Sequence, residues 1–200
     1  MAALTQVQAM PWRFQNFSSG LSGLGYWFNR FTLRNGPNEN LSIHCSLSPG
    51  AIMDEFMAAA IEEAEAGKSE GGIPIGSVLV YKGQILGRGH NRRVQKESAI
   101  LHAEMDALEN AGRLLPAIYR ESTLYTTLSP CAMCCGAILL YGIPHVVIGE
   151  NMSFKGEEAL LKSRGVSVEI RQDTRCMMLM MEFIQTEPEL WFEDIGREGP

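Results

Sequence analysis

Between positions 51 and 66 apolar residues recur at helical spacing: Ile52, Met53, Phe56, Met57, Ala60, Ile61 and Ala64. Steps of three and four predict a helix over 51–66, with Gly67 expected to stop it. The period then changes. Gly71-Gly72-Ile73-Pro74 punctuates the chain, and 75–81 and 84–89 read as two strands joined by a Lys82-Gly83 hairpin turn. A helical period returns over 102–113, and again in the run that follows Pro130. Segments 123–127, 146–149 and 166–170 are β-rich, whereas 157–162, 174–185 and 187–194 read as helices.

Strands that alternate with helices after an opening hairpin predict an α/β fold. The expected form is a three-layer α/β/α sandwich around a mixed sheet of about five strands. One domain over 51–200 accounts for all of these elements. Residues 1–50 show no sustained period and are rich in Ser, Asn, Gly and aromatic residues. Two readings compete for them: an organelle transit peptide, or a disordered extension or misassigned start with Met53 as the true first residue. Three arginines (Arg13, Arg30, Arg34) are thin for a targeting signal, which favours the second.

Composition narrows the function classes. With 46% apolar and 20% charged residues the chain suits a globular protein with a real core. Apolar runs such as 137–141 are far too short to cross a bilayer. The net charge is −6; residues 1–50 contribute three arginines and one acid, so the remainder carries −8. So acidic a domain is a poor holder of a nucleic-acid backbone, and a small neutral substrate fits it better. Neither nucleic acid nor membrane is expected as a partner.

The chemistry concentrates in two stretches, Leu101-His102-Ala103-Glu104 and Ser129-Pro130-Cys131-Ala132-Met133-Cys134. One imidazole and two thiolates suit Zn²⁺, and three protein ligands leave a fourth position for water. Pro130 is pre-set for the start of a helix. Cys131 and Cys134, three apart, then project from one side of it. The positive end of that helix favours thiolates. Glu104 is left beside the water as proton carrier. Cys135 has the wrong spacing to replace Cys134. Cys45, Cys135 and Cys176 show no disulfide spacing, which favours a reducing compartment. Cys176 reads as a core thiol, the methionines of 177–181 as helix core or a dimer face, and His44 and His145 as incidental.

Taken in order, H-x-E and P-C-x-x-C resemble the signature of the cytidine deaminase-like superfamily of zinc nucleobase deaminases. Further stretches are similar to the fungal cytosine deaminases: 70–76, Leu86-Gly87-Arg88-Gly89-His90-Asn91, 124–131, Tyr141-Gly142-Ile143-Pro144 and Trp191-Phe192-Glu193-Asp194-Ile195-Gly196. The similarity spans about 53–196. It implies one Zn²⁺ per subunit on His102, Cys131 and Cys134, with Glu104 as the catalytic proton shuttle of a zinc-activated hydroxide. It further implies that Asn91 and the backbone N–H of Ala103 hold a pyrimidine edge, that Asp194 accepts from the exocyclic amine, that Phe154 and Trp191 close over the ring, and that Ile75 lines the pocket. The implied reaction is hydrolysis of cytosine to uracil and ammonia in pyrimidine salvage, with 5-substituted cytosines also accepted, by a homodimer acting on the free base. The implied compartment is the cytoplasm, with the nucleus open to it. The sequence departs from the fungal pattern at Ala103, where those enzymes carry glycine, and in a segment after Phe154 that is one residue shorter.

A tRNA adenosine deaminase is the rival within the enzymes, since its relatives share H-A-E and P-C-x-M-C. The acidic domain and the closing tail stand against it. Guanine and riboflavin-pathway deaminases fit less well. A catalytically inactive zinc-binding dimerisation scaffold is the rival from another class, and the presence of Glu104 beside all three ligands weighs against it.

Overall fold

The computed structural model describes residues 54–199. The expectations for residues 1–50 lie outside the described residues, as do Ile52, Met53 and His44. Asp54 opens helix α1 (Glu55–Ser69), its carboxylate accepting from the backbone N–H of Phe56 at 3.1 Å and of Met57 at 3.4 Å. A negative oxygen at that end satisfies orphan donors and complements the helix dipole. Met57, Ala60, Ile61 and Ala64 form its buried face, as their spacing predicts. Gly67, however, does not stop the helix. It lies inside it, beneath His90, where a Cβ would come within 3.1 Å of the ring. Close approach explains that glycine, and the left-handed residue that ends the run is Gly71, with φ 82°.

Strands β1 (Gly76–Tyr81) and β2 (Gln84–His90) form the expected hairpin. Lys82 and Gly83 both have positive φ, 48° and 76°, as a two-residue turn matched to strand twist requires. The chain continues through α2 (Arg93–Lys96), α3 (Ala103–Ala111), α4 (Pro116–Tyr119), β3 (Ser122–Leu128), α5 (Ala132–Tyr141) and β4 (His145–Glu150). It ends with α6 (Glu158–Ser163), β5 (Ser167–Ile170), α7 (Thr174–Thr186) and α8 (Pro188–Asp194). Two elements lie beyond the sequence reading, the single turns α2 and α4, because four residues carry no period to detect. The sheet order is β2-β1-β3-β4-β5, with β1 antiparallel to both neighbours and β3, β4 and β5 parallel.

Successive side chains on a strand face opposite ways, and here both ways lead to a core. Leu79, Leu124, Val146 and Ile148 pack with Leu108 of α3, Ile138 of α5 and Leu161 of α6. Val78, Val80 and Val147 pack with Met57, Ala60 and Ile61 of α1 and with Cys176 of α7. The result is the three-layer arrangement, and Cys176 is the core thiol expected. Among the methionines of α7, Met180 is buried while Met178 and Met181 are exposed. No helix among the described residues is long and apolar enough to cross a membrane.

Register then decides where the site falls. Gly76 lies opposite His90, Ser77 opposite Thr126, and Leu128 beside Glu150. Ile75, Asn91 and Ser129, each one step beyond a strand end, therefore gather at one end of the sheet. This is the carboxyl end of β2, β3 and β4, where open α/β sheets place ligands. A third apolar cluster sits there, built from Ile73, Ile75, Ala103, Leu128, Met180, Phe183 and Trp191.

Candidate active site

His102 and Cys131 occupy equivalent places. Each is the N-cap of its helix, α3 or α5, with extended backbone at ψ 164° and 174°. Glu104 is then the second helical residue of α3, and Cys134 the third of α5. All four groups stand at the positive ends of two helices, where anionic side chains are favoured.

The ligating atoms of His102, Cys131 and Cys134 lie within 4.8 Å of one another. The two sulfurs are 3.7 Å apart, and Cys131 Sγ is 3.5 Å from His102 Nδ1. Zn–S bonds of ~2.3 Å and Zn–N bonds of ~2.0–2.1 Å meeting at tetrahedral angles would give separations of about 3.8 Å and about 3.6 Å. The donor set and its spacing therefore fit zinc. His102 Nε2 faces Asp194 Oδ1 at 3.8 Å, which places a carboxylate behind the imidazole, a common arrangement around metal-bound histidines.

Without a cation the electrostatics favour the thiolate at Cys131 and disfavour it at Cys134. Hydrogen bonds from Cys134 and then His102 hold the Cys131 thiol down to about 4, although its burial opposes them. Cys134 is pushed upward, first because its thiol donates to Cys131 and then by burial. A divalent cation among these groups would displace that proton as it binds. Burial works against protonation of His102, but its hydrogen bond to Cys131 and the nearby Asp194 and Glu104 outweigh it and raise its pKa. Cys135 belongs elsewhere: its sulfur faces the carbonyls of Pro130 at 3.5 Å and Glu157 at 3.8 Å. Its thiol is pushed up to about 12, mainly by burial.

Glu104 is buried, with Oε2 3.4 Å from Cys134 Sγ and Oε1 3.3 Å from the Thr126 hydroxyl. Burial raises its carboxyl above the usual range, the direction that suits a group that must hold a proton and release it. A cavity of about 160 Å³ opens beside it. Five of the six expected substrate-binding residues line this cavity: Ile75, Ala103, Phe154, Trp191 and Asp194. Phe154 and Trp191 meet edge to face, their ring centres 6.3 Å apart and their planes at 88°. Asn91 is the sixth and is fully buried, but it is not part of the lining. Its Nδ2 donates to Asp194 Oδ1 at 3.0 Å and its Oδ1 accepts from the Arg93 backbone at 3.1 Å.

Residues 52–150 match the family model for the cytidine and deoxycytidylate deaminase zinc-binding region. The chain is 55% identical to the cytosine deaminase of Candida albicans over 141 residues, 70% of this chain and 94% of that protein. It belongs to the cytidine and deoxycytidylate deaminase family. A tRNA-specific adenosine deaminase of Streptococcus pyogenes is 46% identical over 112 residues, 52% of this chain and 67% of that one. Among solved structures, the guanine deaminase of Nitrosomonas europaea superposes with a TM-score of 0.53 at 23% identity, over 64% of this chain and 82% of that chain. That last likeness is one of fold.

Three residues of this deaminase's site escaped the sequence reading. Thr126 touches Glu104 from β3, and its alternation with Leu124 and Leu128 was the available signal. Ser129 lines the cavity and ties the metal loop to α6, donating to Glu158 Oε1 at 2.8 Å and accepting from Gly156 N at 3.1 Å. Arg93 reaches Asp194 Oδ1 at 3.0 Å, and nothing in its local sequence announces a partner 101 positions away.

Proposed function

We propose that this deaminase hydrolyses cytosine to uracil and ammonia. The observation that carries the reading is the small size of the cavity beside Glu104. At about 160 Å³ it falls below the ~300 Å³ at which sites for drug-sized ligands begin, which suits a single heterocyclic ring. Trp191 and Asp194 form part of its wall from α8. The longer and closer similarity to the Candida albicans enzyme supports the same choice over the tRNA-editing relatives.

His102, Cys131 and Cys134 would hold one Zn²⁺, which when bound lowers the pKa of water from ~15.7 to about 7. The protein's own residues do the rest. Glu104 takes a proton from water and delivers it to the ring nitrogen. It then takes the second proton from the hydroxyl just added to the ring carbon and passes it to the departing amine. The C–N bond thus breaks with ammonia rather than amide as leaving group, and the hydroxyl oxygen becomes the new keto group. Such transfer contributes typically ~10²–10⁴-fold. The Ala103 N–H, at the first position of α3 where no intrahelical acceptor exists, is free to hold the 2-oxo group. Asp194 accepts from the exocyclic amine. Phe154 and Trp191 cover the ring and exclude water, and Ile75 packs on the ring from the start of β1. A glycine-to-alanine difference at 103 leaves that backbone donor in place.

A homodimer fits the outer surface. Leu115 is 71% and Leu140 78% exposed, and both line a groove of about 930 Å³ between α3, α4 and α5 that contains none of the site residues. The thiols of Cys135 and Cys176, free and outside the zinc set, support a reducing compartment such as the cytoplasm, and a product re-usable as a pyrimidine base supports a role in salvage.

The test is ultraviolet assay of the zinc-loaded protein on cytosine, beside cytidine and an adenosine-bearing anticodon stem-loop, with sedimentation of the same preparation. Cytosine alone should react, and Glu104→Gln should keep its zinc and lose ~10²–10⁴-fold in turnover. Inosine formation with cytosine untouched would move the protein to the tRNA enzymes. Zinc binding without reaction on any base would leave the scaffold reading.

A further inference from the structure

We infer that Arg93 is a positioning residue that fixes the orientation of the Asp194 carboxylate toward the cavity, and so lets the site prefer an amine over a keto oxygen at the reacting carbon. The inference rests on the cytosine reading above. Arg93 opens α2, and its side chain is 15% exposed; the Asp194 carboxylate it meets is 3% exposed. Its backbone N–H donates to Asn91 Oδ1 at 3.1 Å. A backbone N–H can only donate, so the amide oxygen of Asn91 must face it and the amide nitrogen must face Asp194. The Arg93 Nη1 then donates to the same Asp194 Oδ1 at 3.0 Å, alongside Asn91 Nδ2 at 3.0 Å. One residue thus sets both neighbours, one through its main chain and one through its guanidinium.

The consequence concerns the carboxylate. With two donors on Oδ1, rotation of Asp194 is arrested and the side chain faces the cavity as an acceptor. An exocyclic amine, the group cytosine presents, meets an acceptor and is held. A keto oxygen, the group uracil presents in its place, meets a lone pair and is repelled. Substrate is favoured and product is discharged. The guanidinium fork also reaches Glu193, at 3.1 Å and 2.6 Å. That carboxylate is 58% exposed, and such pairs count for little, so the buried branch to Asp194 carries the effect. Lysine could replace the charge but not the fork that spans two consecutive carboxylates.

The experiment uses the full-length, zinc-loaded protein with Arg93→Met, Arg93→Lys and Glu193→Gln, and reads KM for cytosine, Ki for uracil, kcat, zinc content and melting temperature. Arg93→Met should raise KM about tenfold while Ki for uracil moves less than about twofold, with zinc retained. Arg93→Lys should recover part of the loss, and Glu193→Gln should behave as wild type. In an Asp194→Asn background, Arg93→Met should add less than about a further twofold. Equal weakening of cytosine and uracil, or an undiminished effect in that background, would overturn the inference and make Arg93 a mere brace. If the wild type does not act on cytosine, the substrate reading fails on its own. The clamp is then read by amide exchange over 188–196, which should quicken in Arg93→Met and nowhere in α5; unchanged exchange would overturn it.

Discussion

Gly156 lies where the segment after Phe154 passes over the metal loop. Replacing it with alanine would place a Cβ in collision with the Pro130 carbonyl oxygen, 2.7 Å from that carbonyl carbon and 3.1 Å from the Ser129 oxygen. Carbon atoms prefer ~3.5–4.0 Å, so one backbone must retreat by about 1 Å. Both partners are main chain, and neither can yield by rotating a side chain. Overpacking of this kind costs ~1–3 kcal/mol. The retreat would also strain the bond from Glu157 N to Pro130 O, now 3.0 Å, and a lost hydrogen bond adds ~1 kcal/mol. At ~2–4 °C per kcal/mol for a domain of this size, the melting temperature should fall by roughly 5–15 °C. Pro130 directly precedes Cys131, and Phe154 stands two residues before the substitution. A displacement of about 1 Å at reacting groups can cost ~10²-fold, so kcat/KM should fall by that order even well below the melting point. Thermal unfolding and steady-state kinetics on Gly156→Ala measure both. A variant that melts within about 2 °C of wild type and keeps kcat/KM within about twofold would refute the reasoning, because a contact this close leaves no room for a silent methyl group.

Two further outcomes are expected. Cys134→Ala should lose bound zinc by elemental analysis while the neighbouring Cys135→Ala retains it, since only the first sulfur lies 3.7 Å from Cys131 Sγ. Asp173, N-cap of α7, has its carboxyl lowered chiefly by hydrogen bonds from Arg175, so its contribution is present above the unfolded value of ~3.9 and is lost as pH falls through the lower folded value. Asp173→Ala should therefore cost about 0.5–2 kcal/mol at neutral pH in denaturant melts, with the gap from wild type closing in strong acid.

Local patterning made most of the architecture legible. The segment 75–81 reads as a strand, and its apolar run is continuous rather than alternating because Val78 and Val80 face one core while Leu79 faces the other. Long helices announced themselves by period, and α2 and α4 stayed hidden because a single turn has none. Gly67 misled for a physical reason: a glycine that ends a helix and one that lets a histidine ring approach look the same in sequence. The metal site was readable because its residues sit in two tight motifs, each at a helix start. Asn91, Ala103 and Asp194 came through family resemblance rather than pattern, and the geometry adds that Asn91 serves Asp194 directly. Arg93 was out of reach, as an ion pair depends on where the fold brings a distant charge.

The metal ligands and the clamp also differ in when they exist. Cys131 follows His102 by 29 positions and Cys134 follows Cys131 by three, whereas Asp194 follows Arg93 by 101. At roughly 5–20 residues per second of synthesis, Asp194 is added some ~3–12 s after Cys134 completes the donor set. A chain being made therefore carries a complete set of zinc donors before α8 is available to close over them. Metal can enter during that interval through a mouth that the finished fold narrows, and loading of the newborn chain need not wait for the folded enzyme to reopen.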